Sequence, residues 1–73
     1  MKALGIKIED SVILLSLQKV KVSEGFTASD LSTWFVEAGV SPFHSSAAAD
    51  NLLRRLKRAD LIALVRYRTW RVK

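Results

Sequence analysis

Amide and guanidinium side chains recur at helical spacing in the last third of the chain. Asn51, Arg54 and Arg58 fall on one side of a helix at about 100° per residue, together with the small side chain of Ala47. An asparagine amide can form two hydrogen bonds with an adenine edge, and an arginine can reach a guanine edge or a phosphate. We therefore expect this helix face to lie against base pairs, flanked by the charged residues Asp50, Arg55 and Lys57.

Positive charge is concentrated in the same region. Twelve Lys and Arg against seven Asp and Glu give a net charge of +5 over 73 residues. Residues 51–73 hold eight of the basic residues and a single acid, Asp60, whereas residues 22–50 hold four acids and no Lys or Arg. Such asymmetry indicates an anion-binding face for a polyanion, either nucleic acid or an acidic membrane surface. The alternative is a solvated charged surface without a partner.

Residues suited to catalysis or metal binding are few. The sequence has no Cys and one His, His44, with no nucleophile or carboxylate at the spacing of a known relay. It has neither a glycine-rich phosphate loop nor a paired zinc motif. An enzyme is therefore not expected, nor is a metal or other cofactor, and we interpret His44 as a loop or groove residue near the start of the third helix.

Chain length and hydropathy limit the architecture. Seventy-three residues can bury one core, so we expect a single domain over residues 1–73, without disulfides. The longest strongly apolar run, residues 12–15, is far shorter than the roughly 20 residues of a transmembrane helix. We expect a soluble, intracellular protein without a membrane partner.

The first helix is predicted at about residues 9–21. Asp10 or Ser11 can cap its start, and an acid there complements the helix dipole. The residues expected to face the core are spaced at helical intervals: Ile13, Leu17 and Val20.

Leu14 and Leu15 lie away from that core stripe. An apolar pair on the outer side of a helix favours a docking surface, and a domain this small gains stability by pairing. We therefore predict a homodimer through the first helix. Further candidates for this contact are the strand-like residues Leu4, Ile6 and Ile8.

The second helix is predicted at about residues 28–38. Thr27 and Asp30 have the spacing of a capping box, and Gly39 suits the left-handed conformation that ends a helix. An apolar stripe connects the two ends and is expected in the core: Leu31, Trp34, Phe35 and Ala38.

The third helix is predicted at about residues 42–59, with two possible starts. Either Ser41 is the cap and Pro42 lies in the first turn, or Ser45 is the cap after a longer loop. Its core face is expected to consist of Ala49, Leu52, Leu53 and Leu56.

Residues 62–66 and 69–73 are predicted to form an antiparallel hairpin. Ala63, Val65, Trp70 and Val72 can share one face if Val65 lies opposite Trp70. Loops of two or four residues satisfy this register. A two-residue loop would place Tyr67 and Arg68 in a primed turn, which prefers Gly, Asn or Asp. We therefore favour a four-residue tip at 66–69.

Three helices followed by a basic hairpin resemble the winged helix-turn-helix superfamily. Residues 51–62, NLLRRLKRADLI, resemble the end of its recognition helix and the entry to its wing, and the likeness covers about residues 9–73. Two departures stand out. Asp60 occupies a position where many members carry Gly, and the connection from Gly39 to His44 can be longer than the tightest turns of this class.

The resemblance implies double-stranded DNA binding, with the third helix in the major groove and the wing on the backbone or minor groove. It also implies frequent homodimers. The most direct function is a small transcription regulator, cytoplasmic and nucleoid-associated when bound; the alternative is a module that binds structured RNA or a protein. The expected DNA contacts are His44, Ser46, Ala47, Asp50, Asn51, Arg54, Arg55 and Arg58 on the helix, and Arg66, Tyr67, Arg68, Arg71 and Lys73 on the wing.

Overall fold

The described residues form three helices and two short pairs of antiparallel strands. The computed structural model describes the backbone of residues 2–3 and 5–73 and the side chains of residues 5 and 7–73. The prediction of a mainly helical chain with a carboxyl-terminal hairpin is confirmed. The elements are β1 (Lys2–Ala3), β2 (Ile6–Lys7), α1 (Asp10–Val22), α2 (Ala28–Glu37), α3 (Pro42–Arg58), β3 (Ile62–Arg66) and β4 (Thr69–Val72).

The amino-terminal strands form an antiparallel pair through Gly5, whose φ is +82°. The alternation of apolar residues noted in this segment thus corresponds to a strand at Ile6. Leu4, which belongs to the same alternation, lies outside the described residues. Ile8 follows β2 and is buried in the core. Ile8 is therefore not available for the homodimer contact that was predicted for it from the sequence.

The cap of helix α1 lies one residue before the first of the two predicted caps. Glu9 occupies the cap position without a side-chain hydrogen bond, and its carbonyl already accepts from the N–H groups of Val12 and Ile13. Capping by Asp10 or Ser11 is therefore wrong, because both residues already lie inside the first turn.

Helix α2 packs against α3, and both helices begin and end at local signals. The capping box is present: Asp30 N–H donates to Thr27 Oγ1 at 3.1 Å, and Thr27 N–H donates to Asp30 Oδ2 at 3.0 Å. Gly39, with φ +101°, ends α2. Of the two predicted starts of α3, the structure has Ser41 as cap with Pro42 following it.

Ser45 has a different role from the predicted alternative cap. It is buried, and its Oγ lies 2.8 Å from Ser32 Oγ, which joins α2 to α3. It also donates to the carbonyl of Pro42 at 3.1 Å. A buried hydroxyl needs such partners, so this pair fixes how the two helices meet.

The core draws on every helix and on the hairpin. Six of the eleven helix residues predicted for it are buried. Ile13, Leu17, Trp34 and Leu53 pack against it partly exposed, and Ala38 is half-buried. Phe26, in the segment between α1 and α2, was not predicted and is fully buried. The buried apolar residues are Ile8, Val20, Phe26, Leu31, Phe35, Ala48, Ala49, Leu52, Leu56 and Ile62.

The hairpin has a different register from the predicted one. Leu64, not Val65, lies opposite Trp70, and Arg66 pairs with Thr69. The reason is a bulge: Val65 is an extra residue on β3, so the shared face consists of Ile62, Leu64, Trp70 and Val72. The four-residue tip is wrong as well, because Tyr67 and Arg68 alone form the loop.

Backbone conformation explains both ends of this hairpin. In the loop, Arg68 has φ +55°, whereas Tyr67 does not have a positive φ. Both types of primed turn need a positive φ at the first loop residue, which is why they prefer Gly, Asn or Asp there. The loop is therefore not a primed turn. Asp60 has φ +59° directly after α3. Aspartate tolerates this left-handed conformation better than most residues, which accounts for an acid where glycine is common.

Candidate nucleic-acid interface

The outward face of α3 carries most of the predicted contacts. Ser46, Asp50, Arg54, Arg55 and Arg58 are exposed, and His44 and Asn51 are half-buried. Ala47 was predicted to belong to the outer face, and this prediction is wrong in part, because Ala47 is half-buried and packs against the hydrophobic core.

Asn51 and Arg54 are brought together on this face. Arg54 Nη2 donates to Asn51 Oδ1 over 3.1 Å, so the amide and the guanidinium act as one polar unit. An arginine has five N–H donors, and this bond uses one of them. The unit can still donate to a base edge or a phosphate while the two side chains hold each other in place.

Phe43 belongs to the same face, although it was not among the contacts predicted from the sequence. It lies in the first turn of α3 and is 76% exposed, with its ring 5.0 Å from the His44 ring in an edge-to-face arrangement. The signal was available, since Phe43, Ala47, Asp50 and Arg54 follow each other at helical spacing. An exposed aromatic ring at the start of a helix can contact the methyl group of a thymine.

The hairpin tip presents cations and an aromatic ring. Tyr67 is 82% exposed, and the guanidinium of Arg68 lies 5.2 Å from its ring centroid. Arg66 and Arg71 are also exposed. Lys73 differs from these predicted contacts, because it lies at the base of the hairpin and forms an ion pair with Asp60.

Two contacts fix the hairpin relative to the helices. Phe26 and Trp70 exchange two backbone hydrogen bonds of 2.8 Å, which add Phe26 to the edge of β4. Lys57 Nζ lies 5.0 Å from the Trp70 ring centroid, a cation–π distance, which connects α3 to β4. The hairpin is thus in direct contact with α3 and with the segment between α1 and α2.

The hairpin also packs closely against the backbone of Gly25. A Cβ atom built there would lie 2.9 Å from Cγ2 of the buried Thr69 and 3.4 Å from Nη2 of Arg66. Only a residue without a side chain leaves room for β4 to approach the segment between α1 and α2.

This surface carries positive charge because its basic side chains are exposed and mostly not in ion pairs. All eight basic residues after position 50 are exposed, and within the described part of the chain only Lys73 among them is in an ion pair. Asp50 is the one acid on the outward face of α3, where a carboxylate can accept from the amino group of a cytosine.

Leu14 and Leu15, predicted for a dimer contact, are 60% and 53% exposed. They line different grooves. Leu14 borders an apolar groove with Leu61 and Val72, whereas Leu15 borders one shared with Trp34 and with the Lys19–Glu37 ion pair.

The described residues also meet the requirements of neither a metal site nor a membrane-spanning helix. Residues 2–3 and 5–73 include no group of three or more side chains that could hold a metal ion, and none of their helices could span a membrane. No protein-family model, curated protein or solved structure matches the chain.

Proposed function

We propose that this chain binds duplex DNA as a winged helix-turn-helix domain and acts as a small transcription regulator. Helix α3 enters the major groove, and the β3–β4 hairpin, as the wing, contacts the backbone or the minor groove. A regulator of this kind works in the cytoplasm and at the nucleoid.

The observation that carries the proposal is an amide-and-arginine face on a helix in direct contact with a basic hairpin. Asn51 and Arg54 supply the donors and acceptors that base edges require, and Arg66 and Arg68 supply charge for phosphates. The contact of Lys57 with Trp70 joins the helix that carries the first pair to the hairpin that carries the second.

The connection between the helices also supports it. Residues 38–41 join α2 to α3 and include Gly39 in the left-handed conformation, which is the length and chemistry typical of a helix-turn-helix turn. The backbone pairing of Phe26 with Trp70 gives the hairpin a third strand position, which anchors a wing to the helical core.

A second candidate function is binding to structured RNA or a protein. Phe43 favours it, because a large exposed apolar side chain on the same helix face as Asp50 suits a protein surface better than a phosphate backbone. In that case the basic residues would contact RNA phosphates or an acidic partner.

Affinities for duplex DNA, duplex RNA and single strands, measured at matched salt by fluorescence anisotropy, separate the two candidates. We expect the tightest binding to duplex DNA. Arg54→Glu should weaken it strongly, whereas Lys21→Glu, the same charge change at an exposed site on α1, should have a smaller effect. Preference for RNA, or an equal loss in both variants, would contradict the proposal. Selection from random duplexes then identifies the site, and a palindrome would report a dimer.

A further inference from the structure

A groove of about 690 Å³ lies between α3, the hairpin and the first turn of α2. Its walls come from the two elements that carry the proposed DNA contacts, but the groove has a chemistry of its own. A recess of this volume is within the range of about 300–1,000 Å³ that small-molecule sites occupy.

The floor of the groove is apolar and partly flat. Leu53 from α3, Leu64 from β3 and the indole of Trp70 from β4 line it, and Leu64 is 56% exposed there. The charged phosphate groups of a duplex have no apolar surface to place on such a floor. Contacts to phosphates therefore leave this feature unexplained.

Two cations stand at the edge of the floor. Lys57 Nζ lies over the Trp70 ring, and the Arg68 guanidinium lies beside the Tyr67 ring. Neither takes part in the ion pairs of the described residues, and no carboxylate lines the groove. The groove thus combines an aromatic and aliphatic surface with unneutralised positive charge.

We infer that this groove binds a small, flat aromatic anion, such as an aromatic carboxylate or sulfonate or a free nucleotide. The ring system packs against Leu64 and Trp70, and the anionic group lies near Lys57 and Arg68. Because Tyr67 and Arg68 also belong to the proposed wing contact, a ligand here competes with DNA for the hairpin tip. The domain thereby carries its own effector site.

The inference can be tested without DNA, so its failure leaves duplex binding untouched. The probe is 8-anilinonaphthalene-1-sulfonate, and the matched neutral probe is N-phenyl-1-naphthylamine, which has the same rings without the charge. We expect the full chain to bind one equivalent of the anionic probe, and the neutral probe about fivefold or more weakly.

Matched variants locate the site. Leu64→Glu places a carboxylate on the floor and should abolish binding of the anionic probe, whereas Val65→Glu, the same change at the neighbouring bulge residue outside the groove, should not. Lys57→Met keeps the aliphatic stem and should weaken binding about five- to tenfold, whereas Arg55→Met should leave it unchanged.

Chemical shifts provide a second readout in the same samples. Saturation with the anionic probe should move the indole N–H resonance of Trp70 and leave that of Trp34 in place, and circular dichroism checks that each variant folds. The inference is overturned if the two probes bind equally, if binding does not saturate, or if Lys57→Met and Arg55→Met reduce affinity alike. Retained binding in a folded Leu64→Glu variant would place the probe elsewhere, such as the Leu14 groove, and would also overturn it.

Discussion

The guanidinium of Arg54 donates to the amide oxygen of Asn51 across 3.1 Å on the exposed side of α3. This bond restricts the rotamers of both side chains before any partner arrives, which lowers the entropy lost on binding. It also means that replacing either side chain removes this hydrogen bond from the other.

Alanine at either position therefore has a predictable effect on base preference. Asn51→Ala or Arg54→Ala should relax preference at one position and cost roughly 1–3 kcal/mol on the preferred duplex, with little loss on random DNA. Because the residues are bonded, the double variant should differ from the sum of the single ones by about 0.5 kcal/mol or more. Anisotropy on the two duplexes measures both quantities. Additive effects, or equal losses on the two duplexes, would count against base reading by this pair.

Phe43 is predicted to read a thymine methyl group. Replacing one thymine of the preferred duplex by deoxyuridine removes that methyl and should cost the natural protein about 0.8 kcal/mol, the value of one buried methylene-sized group. In Phe43→Ala the same replacement should cost nothing, while Phe43→Leu should keep part of the sensitivity. If the natural protein and Phe43→Ala respond alike to every such replacement, Phe43 reads no methyl group.

Self-association is predicted to depend on Leu14 more than on Leu15. The groove beside Leu14 is apolar, with Leu61 and Val72, whereas Leu15 lies near the Lys19–Glu37 ion pair, which favours solvent. Sedimentation should show a dimer that Leu14→Glu dissociates and Leu15→Glu weakens less. A monomer at high protein concentration, free and on DNA, would rule out the homodimer.

Asp60 is predicted to contribute to the free energy of unfolding through its backbone conformation rather than through its charge. With φ at +59°, Asp60→Val should lower the free energy of unfolding by about 1–2 kcal/mol, because a β-branched residue is disfavoured in the left-handed region. Asp60→Asn should be close to neutral, since the ion pair with Lys73 is solvent-exposed. Urea unfolding of the three proteins measures the difference. Equal stability of Asp60→Val and the natural protein would show that the conformation carries no strain.

Helix positions were predictable because their signals are local. The capping box at Thr27, the glycine at position 39 and the spacing of Leu31 and Phe35 each act within a few residues. The hairpin register was not predictable in this way. Val65 continues the alternation in the sequence, and only the bulge shows that it is an extra residue.

Long-range contacts account for the other misses. Phe26 is buried because its backbone pairs with Trp70, which lies 44 positions later, and no local pattern marks that pairing. Ser16 of α1, for which nothing was predicted from the sequence, is buried, with no hydrogen-bond partner for its hydroxyl among the described residues. On α3, the predicted outer face was correct at Arg54 and Arg58, which are exposed, but the partial burial of Ala47 depends on neighbouring elements.

The dependence of duplex affinity on salt concentration tests the central claim most directly. With four to six phosphates contacted per subunit by the basic residues after position 50, the logarithm of affinity should fall against the logarithm of salt concentration with a slope of about −4 to −5 per subunit. Arg68→Gly keeps the left-handed turn conformation while removing a cation, and should weaken binding to all duplexes similarly and flatten the slope by about one unit. A slope near zero with retained binding, or an unchanged slope in Arg68→Gly, would contradict a phosphate-contacting wing.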